Sequence, residues 1–546
     1  MIFSSQKNVI LLSDFTDNLT MQHTLGPYKV AKALRDQGYD VTVLHHLHIF
    51  TVKEIKQILK QLVNENTIFI GINNFFYKSI TSDGLDLKDA EIKLEEHRPS
   101  ALGSFLPHGV QYNDEIKQLV KNKNPNCKFV LGGPSAADSQ SNKFFDYIVL
   151  GYADVSIVNL ANHLVDNTVL LNKKYKSIYG PVIINDGTAE TYDFSGTLMQ
   201  YENKDIILPG ETLVTEIARG CIFKCAFCAY PLNGKKKLDF IKHKNLLIKE
   251  FKENYERFGI YRYQFSDDTV NDSVEKCQMI YEVSQALPFK IEWWGYIRLD
   301  LLTAHPQTVD MLFESGLKAT FFGIETFNEK TGSIIGKGGS RKKLMQTVKN
   351  IKEKYKNKVS LHAGLVYGLP HESKESLAST TEFLLSDDNP LDSWSAQVLR
   401  IKEKANESNG FDSELDINWP KFGYKKIDDE KQHATSVNLL NWKNEQNSYD
   451  ESRKLVKHLY DLGHHNKKVT GNYALFAMGQ GFPESEIFNT RNIDVNWYKL
   501  DQLKLQRAQE YRQKFTAELN LQTLSNLTEK FNTFTEYRNS DDFKEI

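Results

Sequence analysis

Three cysteines fall within one short stretch, Ala218-Arg219-Gly220-Cys221-Ile222-Phe223-Lys224-Cys225-Ala226-Phe227-Cys228. The spacing is C-x3-C-x2-C, and three thiolates on one loop can face a common centre. A structural zinc usually takes four protein ligands from paired C-x2-C units, whereas three thiolates suit a [4Fe–4S] cluster with one iron left open to a small molecule. Three unrelated cysteines, or a zinc loop recruiting a distant histidine, are the alternatives. The chain has 5 cysteines in 546 residues. The other two, Cys127 and Cys277, stand far apart in sequence. That argues against a disulfide framework and for one cluster per chain.

Other groups able to do chemistry are scattered along the chain. Asp267 and Asp268 could act at a site or cap the next helix. Arg298 could serve a ligand or pair with Asp300 on a rim, and Glu325 could be a surface carboxylate. On one strand Glu292, Trp294, Tyr296 and Arg298 alternate onto a single face, which points either into or out of the fold. His45, His46 and His48 form a tempting cluster, read here as a solvated loop without metal, because no helical i,i+4 pair or partner cysteine accompanies them.

The elements that must position these groups read as two βα series. The first has strands at Val9–Leu12, Val41–Leu44, Ile68–Ile72, Lys128–Leu131 and Tyr147–Leu150, with helices at Tyr28–Gln37, Val52–Val63 and Glu115–Lys121. Thr81–Gly109 reads as a loop or insertion. Buried strands alternating with helices imply a parallel sheet. Residues 171–210, with Pro181, Pro209 and several Gly, Asn and Asp, read as a linker. The second series has strands at Leu213–Ala218, Tyr261–Phe265, Ile291–Ile297, Ala319–Gly323, Val359–Val366 and Trp394–Leu399, separated by helical stretches. Six βα units in a row fit a partial (β/α)6 TIM-like barrel, whose chemistry sits at the carboxyl ends of the strands. The expected fold class is therefore α/β: a doubly wound, Rossmann-like domain over 1–170, the linker, a partial barrel over 211–400, and a mostly helical region over 401–546. In that last region Thr470–Phe482 reads as an apolar island packed on the barrel.

Composition is that of a globular protein, with 40% hydrophobic and 25% charged residues. Lys plus Arg is 68 and Asp plus Glu 70, so 68 − 70 = −2. This balance gives no strong nucleic-acid or anionic-membrane signal. No apolar run approaches the ~18 residues of a transmembrane helix. Val9–Leu12 is too short for a signal-peptide core, so a cytoplasmic location is expected.

The cysteine segment resembles the radical SAM superfamily, whose signature is this spacing with an aromatic residue just before the last cysteine, here Phe227. The resemblance implies that Cys221, Cys225 and Cys228 bind a [4Fe–4S] cluster whose open iron chelates S-adenosylmethionine (SAM). It also implies reductive cleavage to methionine and a 5′-deoxyadenosyl radical, fed by an external electron donor of flavodoxin or ferredoxin type. Phe265-Ser266-Asp267-Asp268-Thr269 resembles the family's acidic segment. Arg298 resembles a polar residue near the SAM ribose or carboxylate. Phe322-Gly323-Ile324-Glu325-Thr326 is similar to the "GIES" segment, and Gly364-Leu365-Val366-Tyr367-Gly368-Leu369-Pro370 to the glycine-rich stretch near the adenine. On this resemblance Phe227, Asp267, Asp268, Arg298, Glu325, Gly364 and Gly368 are cofactor-binding residues.

The first domain resembles the cobalamin-binding module fused to one branch of that superfamily. The matches are Gly26-Pro27-Tyr28, Gly38-Tyr39-Asp40-Val41, Leu131-Gly132-Gly133-Pro134 and Tyr147-Ile148-Val149-Leu150-Gly151-Tyr152-Ala153-Asp154. Tyr152 and Asp154 stand where the branch commonly has Glu. Gly26, Gly132 and Gly133 would leave space for cobalamin. Modules that ligate cobalt from below use Asp-x-His-x-x-Gly; here Met21 replaces the Asp before His23, so the acceptor that fixes a ligating imidazole is missing. The resemblance implies a cobalamin-dependent enzyme, most often a methyltransferase, acting on an unidentified substrate. A radical SAM enzyme of cyclisation or rearrangement with a scaffold-only first domain, and a non-catalytic iron–sulfur protein, are the competing readings.

Overall fold

The structure, a computed structural model, describes residues 6–13, 22–50, 52–73, 114–133, 136, 143–167, 169–171, 174–176, 180–185, 193–230, 232, 240–403, 412–427, 439–465 and 493–520. The stretch Thr81–Gly109, the island Thr470–Phe482 and Met21 lie outside the described residues. The chain divides into two compact units: residues 1–192, 199–211 and 497–546, and residues 193–198 and 212–496.

The first unit is a seven-stranded sheet. Its strands are β1 (Asn8–Leu12), β2 (Asp40–Leu44), β3 (Thr67–Asn73), β4 (Lys128–Gly132), β5 (Tyr147–Val149), β6 (Lys174–Lys176) and β7 (Val182–Ile184), in the order β2-β1-β3-β4-β5-β7-β6. All pairs are parallel except β6 with β7. The helices α1 (Leu25–Arg35), α2 (Val52–Leu62), α3 (Asp114–Lys123) and α4 (Ser156–Val165) make the crossovers that parallel strands need. The apolar runs of the strands are buried, as both faces of such a sheet are covered. The Rossmann-like reading holds, but residues 171–210 are not simply a linker: β6 and β7 extend this sheet.

The C-terminal helix Ile493–Glu518 also belongs here from Trp497 onward. Its Ala508, Tyr511 and Phe515 enter the core formed by Leu44, Leu47, Phe50 and Ile55. Arg512 grips both oxygens of Glu54 at 3.1 and 2.7 Å and the Ile49 carbonyl at 2.6 Å. Residues 401–546, grouped in the sequence reading as one region, are thus divided between the units.

The second unit carries β8 (Thr212–Thr215), β9 (Arg262–Phe265), β10 (Glu292–Ile297), β11 (Leu317–Glu325), β12 (Ser360–Tyr367) and β13 (Ser393–Val398). They are parallel and lie side by side in sequence order, as an open six-stranded barrel requires. The helices between these strands are α5 (Lys244–Phe258), α6 (Val274–Gln285), α7 (Leu299–Ala304), α8 (Gln307–Glu314), α9 (Glu329–Ile335), α10 (Arg341–Tyr355) and α11 (Lys374–Leu385), and Glu414–Asn418 and Tyr449–His465 follow the last strand. Their ends follow local chemistry. Ser273 and Ser373 cap α6 and α11 by accepting backbone N–H bonds, and Gly259 ends α5 at φ 69°. No described helix is long and apolar enough to cross a membrane.

The face of β10 is settled by ring packing. Trp293 stacks on Phe265 at 4.3 Å, and Phe265 lies parallel to Phe251 of α5, so that side faces the helices. The Trp294, Tyr296 and Arg298 row therefore faces the concave interior. There Tyr296 meets Phe321 at 5.2 Å, and Phe321 meets His362 at 5.0 Å. His362 is held between the hydroxyls of Ser393 and Ser395 at 2.8 and 2.9 Å, and burial pushes its pKa down to about 3. It is a neutral imidazole across the physiological range.

Candidate active site

The cysteine loop leaves the carboxyl end of β8 and is pinned from the neighbouring strand. Asp267, just after β9, accepts the Ile217 and Ala218 N–H groups at 3.0 and 2.6 Å. Lys276 of α6 lies 3.0 Å from Asp267 Oδ1 and 3.5 Å from Asp272 Oδ1, and donates to the Thr269 carbonyl at 2.9 Å. The Asp267 and Lys276 side chains are both fully buried. Burial works against the lysine charge, yet the two carboxylates outweigh it and hold Lys276 above its ordinary range. Asp267 is thus occupied by the loop backbone and a lysine. It positions the cysteine loop, and Ser273, not an aspartate, caps α6. Asp268 is different. Burial, then the Asp267 charge, pushes it up to about 7.

On this support Cys221 Sγ lies 3.4 Å from Thr269 Oγ1. Arg298, at the end of β10, donates to Cys225 Sγ at 3.6 Å and to the Gly336 carbonyl at 3.2 Å. Its guanidinium lies 3.9 Å over the Phe223 ring. Asp300 holds it at 3.1 and 2.6 Å, while Asn271 bonds both its backbone N–H and its carbonyl. Arg298 therefore does pair with Asp300, but as a buried group whose other edge meets a cysteine. Cys225 and Cys228 are partly exposed and Cys221 is buried. Among the described residues no three His, Cys, Asp or Glu side chains converge on one metal-ion position. The donor set fits an iron–sulfur cluster: three thiols on one loop, two open to solvent, with a fixed cation against one sulfur.

Glu325 ends β11 in the left-handed region at φ 66°. Its carboxylate lies 3.5 Å from Lys337, which donates to the Gly323 carbonyl at 2.8 Å. Burial pushes Glu325 up against that partner. A Cβ at position 323 would lie 2.7 Å from Glu325 Oε1, so the Glu325 side chain folds back over the bare face of this glycine. Phe227 packs against an apolar cluster that includes Val366, Leu369, Leu399 and Trp442.

Gly364 and Gly368 make room for flat rings, but the rings are the protein's own. A Cβ at Gly364 would meet Phe321 at 2.5 Å, and one at Gly368, φ 91°, would meet Trp442 at 2.3 Å. On the Cβ side neither opens space for a cofactor.

In the first unit the expected glycines do leave space. A Cβ on Gly26, Gly132 or Gly151 would meet nothing within 4 Å, and Gly133 sits at φ 100°. Gly132, Gly133 and Gly151 follow β4 and β5, at the carboxyl edge where doubly wound sheets bind ligands. The histidines correct the sequence reading. His45 and His46 are buried, not solvated; their rings lie 5.1 and 5.0 Å from His23. The His48 side chain lies outside the described set. Glu211 stands 2.7 Å from His23 Nδ1. The rings of Tyr28 and Tyr511 close in at 5.3 and 6.0 Å, so His23 sits in a packed core with no exposed surface.

Sequence reasoning missed Lys276, Asn271, Lys337, Glu211 and Glu372. Glu372 accepts from the Thr326 hydroxyl at 2.6 Å, while its second oxygen has no hydrogen-bond partner among the described residues. Burial pushes its pKa from 4.5 up to about 7. The folded state therefore holds this proton more tightly than the unfolded chain. Stability should fall as pH rises from about 4.5 to about 7 and level off above, by on the order of 3 kcal/mol at most. Urea midpoints from about pH 5 to about pH 8 should show that slope, and Glu372→Gln should reduce it, leaving the part that Asp268 contributes.

These features define the class. Residues 215–384 match the family model described as the Radical SAM superfamily, so this segment of the barrel unit is a radical SAM domain. A domain of this family works with a [4Fe–4S] cluster and SAM. Among solved structures the chain is similar to the radical S-adenosylmethionine methyltransferase TsrM from Kitasatospora setae, with cobalamin and a [4Fe–4S] cluster bound. The identity is 14% and the TM-score 0.61, over 92% of this chain and 99% of that one. It is also similar to the cobalamin-dependent S-adenosylmethionine radical enzyme OxsB, at 12% identity and TM-score 0.52, over 97% of this chain and 84% of that one. At these identities the likeness is one of fold. An uncharacterized methyltransferase of Pyrococcus horikoshii is 23% identical over 55% of this chain and 67% of its own length. The anaerobic magnesium-protoporphyrin IX monomethyl ester cyclase of Cereibacter sphaeroides is 20% identical, over 60% of this chain and 55% of its own length.

Proposed function

We propose that this chain is a cobalamin-dependent radical SAM methyltransferase. The observation that carries the reading is the C-x3-C-x2-C loop at the carboxyl end of the first barrel strand, clamped by Asp267 and touched at Cys225 by the Arg298 guanidinium. Cys221, Cys225 and Cys228 would hold the cluster. Phe227, Asp268, Arg298 and Glu325 would surround SAM, and Gly26, Gly132 and Gly133 would face cobalamin. When bound, these cofactors supply the reductive cleavage of SAM and the carriage of a methyl group.

The chain's own part is orientation and exclusion of water. Arg298 keeps its charge, fixed by Asp300 and Asn271, and presents one edge to the cluster loop. The Asp267–Lys276 pair sets where that loop begins. The aromatic interior of Tyr296 and Phe321 lines the space into which a radical would be released, and side reactions with water are fewer in such a wall. The fold similarity to a cobalamin-bound methyltransferase supports the methyl-transfer reading over cyclisation, and the open glycines after β4 and β5 support a cofactor-binding first unit over a bare scaffold.

Anaerobic incubation with SAM, a chemical reductant and hydroxocobalamin tests this. 5′-Deoxyadenosine and S-adenosylhomocysteine should both form. Deoxyadenosine alone would favour another radical reaction, and neither product would overturn the reading.

A further inference from the structure

The cysteine loop has an outer side as well as an inner one. A depression of about 400 Å³ opens on the barrel unit, and its wall includes Lys224 and Ala226, the two neighbours of Cys225. Across from them are Ile334 and Gly336, at the end of α9, and the wall also includes Ser333, His371, Glu414, Lys421 and Phe422. The loop and α9 are joined at this place, because Ala226 N–H donates to the Ile335 carbonyl at 3.1 Å. Gly336 provides the link inward: its carbonyl lies 3.6 Å from Cys225 Sγ, in a contact open to solvent. The surface thus comes within one contact of a cluster-holding sulfur without passing through the barrel.

The chemistry of this wall suits a protein partner of one sign. Lys421 is neutralised by Glu414, also on the wall, at 2.8 Å. Lys224 is exposed and has no ion-pair partner among the described residues. Ile334 is a large apolar side chain 37% exposed beside it. An uncompensated cation next to an exposed aliphatic group is the pattern of a small docking patch, in which the charge steers encounter and the apolar contact slows departure.

We infer that this depression is where a small acidic one-electron carrier protein docks to reduce the cluster. The inference rests on the radical SAM reading and names the partner of that same site. The carrier is oxidised by one electron and the cluster is reduced by one; no bond forms at the surface. Lys224 and Ile334 belong to the docking patch and not to the groups that hold cofactors.

The test compares Lys224→Glu and Ile334→Asp with the unchanged chain, each reconstituted with iron and sulfide, using a reduced flavodoxin as probe. Affinity for the flavodoxin is measured by interferometry, without turnover, across a salt series. Each variant should bind about five- to tenfold more weakly at low salt, and Lys224→Glu should also flatten the salt dependence. Flavodoxin-driven deoxyadenosine formation should slow in step, while the dithionite-driven rate stays within about twofold. Unchanged affinity in both variants, with dithionite activity intact, overturns the docking site and leaves the radical SAM reading standing. Absence of deoxyadenosine with dithionite in the unchanged chain overturns that reading itself. If one variant loses its iron, the binding measurement on the other decides.

Discussion

Replacing Cys221, Cys225 and Cys228 together with alanine should abolish iron binding and 5′-deoxyadenosine formation while leaving the fold standing. The unchanged chain, reconstituted without oxygen, should carry about four irons, since one set of clustered thiols supports one cluster. Cys225 and Cys228 are partly exposed, so their truncation removes little packing. Cys221 is buried, and its loss leaves a small void costing on the order of 1 kcal/mol. Activity should therefore vanish without a matching loss of stability. Iron analysis, the visible absorption of the cluster and circular dichroism of the same samples separate the two effects. A variant that keeps its iron, or an unchanged chain with about eight irons, would contradict the assignment.

The sequence was most legible where a pattern is local. Every strand of the barrel was placed within a few residues, because each is a short apolar run bounded by helical periodicity. The cysteine loop was legible because spacing alone carries its chemistry. What escaped depends on contacts between distant segments. β6 and β7 escape because each is only three residues long: β6 reads Lys-Tyr-Lys, and the apolar Val182–Ile184 of β7 is too short to show a period. His45 and His46 look solvated as imidazoles just past a strand end, but Tyr511, which meets the His46 ring at 5.1 Å, comes from the far end of the chain. The glycines of β12 illustrate the same limit. A sequence shows that Gly364 and Gly368 admit something flat, but not that Phe321 and Trp442 already occupy the space. Asp267 resembled a ligand because its neighbours match a cofactor segment, and only its two backbone bonds reveal the loop it holds.

That clamp carries the second large effect. Lys276→Met should cost about 3–5 kcal/mol, because it leaves Asp267 and Asp272 as uncompensated charges where no water reaches. The loss can be followed mainly in the barrel unit: five of the six tryptophans, Trp293, Trp294, Trp394, Trp419 and Trp442, belong to it, so fluorescence chiefly reports its unfolding in urea, and Trp497→Phe removes the share of the first unit. Iron loading should fall too, since a displaced Asp267 no longer holds the Ile217 and Ala218 N–H groups and the loop loses its starting point. Adding Asp267→Asn removes one of the stranded charges, so the double variant should regain part of the stability. It should not regain iron loading, because an amide offers one acceptor oxygen where the carboxylate offers two. This split between recovered stability and unrecovered loading distinguishes a group that shapes the cluster loop from one that merely fills the core. A Lys276→Met chain that loses under about 1 kcal/mol and loads iron fully would show that the cysteine loop is held by something else.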